Sequence, residues 1–128
     1  MENRKPNITF WSAAALVGIM IGVHLFAGTP EIMGPILQAN LHPVIKATAM
    51  VVWHLATLLL ALMTFGIAYL TKSRNAGLAL FIILIQLSFA GLFLWYNISL
   101  FCGLFALPQW TIFLIVPALM GYAQLKDA

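Results

Sequence analysis

Charge is confined to a few places in this chain of 128 residues: Glu2, Arg4 and Lys5 near the start, Glu31 and Lys46, then Lys72 and Arg74, and Lys126 with Asp127 at the end. The long stretches between them are apolar. Several are wide enough for a helix of about 20 residues, the length needed to cross a hydrocarbon layer. At 63% hydrophobic and 7% charged residues, with a mean hydropathy of +1.03, the chain lacks the polar side chains that would cover a water-facing surface. Four helices of about 20 residues use most of the length, so a single membrane domain over 1–128 is expected, without an appended soluble domain.

The breaks in the apolar pattern place the spans. The first is expected over about 9–27, ended by Gly28, Thr29 and Pro30, where Thr29 can cap a new helix and Pro30 suits its first turn. Residues 30–40 are too few to cross and carry Glu31, Gln38 and Asn40. They predict a short interfacial helix folded over the outer end of span one, with Ile32, Ile36 and Leu37 turned inward. Pro43 opens a second span over 44–71, which Lys72, Ser73, Arg74 and Asn75 stop. A third covers 77–98, with Trp95 and Tyr96 placed as an aromatic belt. The fourth covers 108–125, and Pro117 inside it predicts a kink. The expected fold is an all-α membrane protein, a four-transmembrane-helix bundle with that short outer helix between spans one and two.

Orientation follows from the basic residues. The N-terminus, the turn after span two and the C-terminus hold five of the six Lys and Arg residues, and the opposite side holds only Lys46. The positive-inside rule then puts both ends in the cytoplasm. Arg4 and Lys5 ahead of an apolar run resemble a signal peptide, but that run is too long and lacks a clean cleavage pattern, so it is expected to remain as a span. The net charge of +3 reads as topology, not as a surface for nucleic acid. Cys102 is the only cysteine, which excludes an internal disulfide and a cysteine-rich metal site.

Against this background each polar side chain carries information, because an ionisable group at bilayer depth costs a few kcal/mol even on lenient scales. His24, Glu31, His42 and His54 all fall in the outer half. On the second span His54, Thr57, Ala61 and Thr64 share a face, as do Gln86, Ala90, Phe93 and Asn97 on the third. The two stripes are expected to face each other, with His54 turned inward and Trp53 toward lipid. Gln109 and Trp110 start the fourth span at the level of Asn97.

Three chemistries fit such a set. His24, His54 and Glu31 can ligate zinc or iron, two histidines on neighbouring helices can ligate haem, and histidine with amides can bind a quinone-like lipid. Equally, a histidine can bond a neighbouring helix, worth about 0.6 kcal/mol on average. Glu31 suits a helix start, His42 a cap for span two, and Lys46 can reach the headgroups. Ala14, Gly18 and Gly22 form a small-residue ladder that admits a close neighbour helix, from this chain or a second copy. The methionines show no consistent spacing and read as packing. No HExxH, CxxCH, EF-hand or phosphate-binding glycine motif occurs, so no catalytic residue is assigned.

The stretch from His24 to Glu31, the Val52, Trp53, His54 triplet and the Pro108, Gln109, Trp110 triplet resemble a family of small uncharacterised bacterial four-span proteins. The resemblance implies a multi-pass protein of the bacterial inner membrane. In size and span count the chain is also similar to DoxX-like proteins, to small multidrug resistance transporters and to membrane-bound glutathione-transferase-like proteins. It lacks the glutamate midway along span one that the transporter comparison calls for. The functional expectation is a module that binds an apolar ligand or cofactor in an outward-facing polar pocket near His24, Glu31, His54, Gln86 and Asn97. The alternatives are an accessory or assembly protein packed against a larger membrane complex, or a small oligomeric transporter.

Overall fold

The computed structural model describes residues 7–127, so Glu2, Arg4 and Lys5 lie outside the described part. Its described residues are helices joined by short turns. Asn7 starts α1 (Ile8–Val23) by accepting from the Thr9 and Phe10 amides, which satisfies donors that a helix start leaves open. The chain then winds without a break through a π-helical stretch, His24–Met33, into α2, Gly34–Gln38.

Here the structure departs from the expected boundary at Gly28. Pro30 has no N–H, and in an α-helix it would orphan a carbonyl one turn earlier. The wider π register, seen in the Gly34 amide bonding the Thr29 carbonyl, shifts each pairing by one residue and lets the helix pass through the proline. There is no separate capping helix. Met33 is the buried residue of this stretch, Ile36 is half-buried, and Ile32 and Leu37 are exposed.

The helix α3 (Pro43–Leu70) opens with Pro43 in its first position, where the missing N–H costs nothing. His42 caps it, Nδ1 accepting from the Val44 amide at 3.3 Å. Lys46 turns back and donates to the Leu37 carbonyl at 2.7 Å, tying α2 to the first turn of α3. The helix α4 (Ala76–Phe101) is capped by Asn75 and ends at Cys102, whose φ of 49° is left-handed. A short 3-10 turn, Pro108–Trp110, leads into α5 (Ile112–Asp127), which contains the buried Pro117.

Neighbouring helices run antiparallel. The first helical run meets α3 at Asn7 with Thr71, Gly18 with Thr64 and His24 with Trp53. Between α4 and α5 the meeting points are Gln86 with Met120 and Phe93 with Phe113. Lys72, Arg74 and Lys126 therefore gather at one end, here called the basic end. Three runs, Ile8–Gln38, Pro43–Leu70 and Ala76–Phe101, are long and apolar enough to cross a membrane. The fourth helix, α5, is shorter at 16 residues.

The core sits toward the basic end. Phe10, Ala13, Val17, Ile67, Val116, Met120 and Ala123 are all buried there. One rung of the small-residue ladder packs within the chain: Gly18 faces Thr64 of α3, where an added Cβ would sit 3.8 Å from the threonine methyl, whereas Gly22 has no neighbour within 4 Å of such a Cβ.

Candidate functional site

At the far end the helices do not close. Near the basic end α3 and α4 touch at Gly66 and Ile82. Beyond Leu60 and Phe89 a half-enclosed cavity of about 920 Å³ lies among the π-helical stretch, α3, α4 and the start of α5. Aliphatic and aromatic side chains form most of its wall, with Phe113 at one side tilted against Phe89 and stacked on Phe93, ring centroids 5.1 and 5.9 Å away. His24, Glu31, Thr48, Trp53 and Gln109 are the polar exceptions.

His24 and Trp53 form the best-built part of this wall. Their rings stack with centroids 4.0 Å apart and planes 16° from parallel. His24 Nε2 lies 3.1 Å from the Trp53 carbonyl. A carbonyl can only accept, so Nε2 carries the proton and, in the neutral ring, Nδ1 keeps a lone pair. The Trp53 indole donates to Thr29 Oγ1 at 3.0 Å, and that hydroxyl donates on to the His24 carbonyl at 3.4 Å. Gly28 makes room, since a Cβ there would stand 2.9 Å from Trp53 Cζ2 and 3.1 Å from Cη2. The glycine, threonine and histidine of the π-helical stretch thus lock onto one tryptophan of α3.

Placement of the expected site residues is uneven. His24 and Glu31 line the cavity, Glu31 as an exposed carboxylate at its rim. His54 does not join them: it is exposed, and Trp53 is the neighbour that turns inward, which reverses the expected arrangement. The helical phase explains the reversal. Trp53 is in register with buried Leu60 and Ile67 at intervals of seven residues, whereas His54 lies on the face of exposed Val51, Leu58 and Leu62.

The two polar stripes do not face each other either. Thr64 meets Gly18 of α1, and Gln86 meets α5. Gln86 is fully buried outside the cavity, its Nε2 3.9 Å from Met120 Sδ and its Oε1 without a hydrogen-bond partner. Asn97, also fully buried, exchanges two bonds with Leu107: Nδ2 donates to the carbonyl at 2.7 Å and Oδ1 accepts from the amide at 2.8 Å. It staples the 102–107 loop to the end of α4. Trp110 adds a second fastening by donating to the Leu104 carbonyl at 2.7 Å.

The donor set for a metal or for bis-histidine haem is not assembled. Among the described residues no three His, Cys, Asp or Glu side chains come together, and of the two histidines His24 lines the cavity while His54 is exposed outside it. Trp53, Thr29 and Gly28 are the residues that sequence reasoning missed; the seven-residue register of Trp53, Leu60 and Ile67 was the available signal. In comparisons with known proteins, no family model, no curated protein and no solved structure matches the chain.

Proposed function

We propose that this chain is a four-span protein of the bacterial inner membrane, both ends in the cytoplasm, that holds a lipid-like molecule in the cavity at its outward-facing end. The cavity carries the reading. Its volume of about 920 Å³ falls within the roughly 300–1,000 Å³ usual for small-molecule sites, and few polar groups on an apolar wall are what orient an apolar ligand by its head. The three stretches on which the family resemblance rests each contribute to this wall, through His24, Gly28 and Glu31, through Val52 and Trp53, and through Gln109. The gathering of Lys72, Arg74 and Lys126 at one end supports a cytoplasmic basic end.

Two experiments test the proposal. A reporter fused after Lys126 or between Lys72 and Asn75 is expected to read cytoplasm, and one near Gly34 the outside; the opposite result overturns the orientation. Extraction of the purified protein into organic solvent is expected to release a bound lipid-like molecule at near-equal stoichiometry, detected by mass spectrometry. Ala56→Phe, which fills the cavity from α3, is expected to abolish it.

A second reading has one observation in its favour. His54 stands exposed on an otherwise apolar part of α3, between Val51, Leu55 and Leu58, where a lone imidazole facing hydrocarbon is costly. A neighbouring protein covering that face would make the chain an accessory or assembly subunit of a larger complex. Photo-crosslinking from position 54 separates the two: adducts with protein favour it, adducts with lipid alone count against it.

A further inference from the structure

Resting on the ligand-binding reading above, we infer that the bound molecule carries a hydrogen-bond-donating head without negative charge, a hydroxyl or an amine on an apolar body. The groups on the cavity wall decide this. Its donors are almost all committed: the Trp53 indole to Thr29, the Thr48 hydroxyl to the Val44 carbonyl at 2.8 Å, and His24 Nε2 to the Trp53 carbonyl. The acceptors are free. Among the described residues the only side-chain nitrogens and oxygens both buried and unpartnered are Gln86 Oε1 and Gln109 Oε1. His24 Nδ1, which has no partner, is therefore open, on a ring that lines the cavity.

Charge points the same way. Glu31 is the one charged residue of the wall, and neither Lys nor Arg lines the cavity; Lys46, near its rim, is already bonded to the Leu37 carbonyl. A carboxylate or phosphate head would meet Glu31 and a lone pair of His24, with no cation to offset its desolvation. The single uncommitted donor is the Gln109 amide. A hydroxyl or ammonium group meets His24 Nδ1 directly, and an ammonium gains the Glu31 carboxylate as well.

The test uses the full chain in detergent micelles at pH 7, titrated by native mass spectrometry with four probes of one chain length: dodecan-1-ol, dodecylamine, 1-methoxydodecane and dodecanoate. The alcohol and the amine are expected to bind about tenfold more tightly than the ether, the worth of one desolvated hydrogen bond, and dodecanoate more weakly than any. His24→Phe keeps a ring against Trp53 and is expected to reduce the alcohol to the level of the ether. His24→Leu, which removes the acceptor and fills the same place with apolar atoms, serves as the second variant should the first fail to fold, with the same loss of the alcohol's advantage expected. Glu31→Gln distinguishes the two sources of the donor, weakening the amine and leaving the alcohol unchanged. Equal binding of alcohol and ether, or preference for dodecanoate, overturns the inference. If Ala56→Phe still weakens all four probes in that case, the cavity reading survives; if no probe binds, both fall.

Discussion

The two ends of this molecule use the same helices to opposite effect. At the basic end small and large apolar residues alternate across facing helices, with Ala13, Ala14, Ala79 and Ala123 set among Phe10, Ile67, Val116 and Met120, and all of these are buried. At the far end α3 and α4 separate, and polar locks hold the parts: His24 and Thr29 on Trp53, Asn97 on Leu107, Lys46 on Leu37. Close packing fixes one end. Directed hydrogen bonds fix the other end while leaving a space, because they set geometry through a few atoms instead of continuous contact.

Substitutions can break this contrast. Met120→Ala, at a fully buried position, is expected to cost about 2–5 kcal/mol, whereas Val52→Ala on the exposed cavity wall should stay within about 1 kcal/mol. Reversible unfolding in mixed micelles compares them, and equal losses would mean that the two ends are packed alike.

A smaller effect is expected from Asn97→Leu, which leaves both Leu107 backbone groups unpaired and costs about 1–3 kcal/mol. Faster hydrogen exchange at the Leu107 amide, without faster exchange in α1, would locate the damage at the far end. Gly28→Val forces the Trp53 ring away and is expected to cost about 1–3 kcal/mol. A shift in tryptophan emission, absent from a Trp53→Phe background, reports it. Gln86→Leu should do least, within about 1 kcal/mol either way, since Oε1 has no bond to lose. A large loss there would reveal a partner for that amide and a polar seam within the packed end.

Sequence legibility divides along the same line. The all-α character and the turn at 72–75 follow from charge placement and hydropathy, because they depend on the summed transfer energy of many residues. The helix limits near Pro43 and Asn75 are legible for a local reason, a proline or an Asx cap. The passage through Pro30 was not, because a π register depends on what the wider turn gains from α3. For the site, His24 and Glu31 could be picked out as polar groups in an apolar run. The inward turn of Trp53 could not be settled by polarity, since a one-residue difference in helical phase exchanges it with His54, and the phase is set by Leu60 and Ile67 further along.

The length of α3 has a consequence for where the cavity stands. At 28 residues the helix is about 42 Å long, some 12 Å more than a typical hydrocarbon layer. The cavity wall begins at Val44 in the first turn of that helix and reaches Leu60. For a chain that spans the membrane as proposed above, bilayer thickness sets which slab of the membrane its rim meets. A thin bilayer leaves Glu31 and Val44 among headgroups and water, and a thick or tilt-favouring one brings the same rim down to the acyl chains. The composition of the surrounding membrane would then act as a control on access without touching a single residue of the wall.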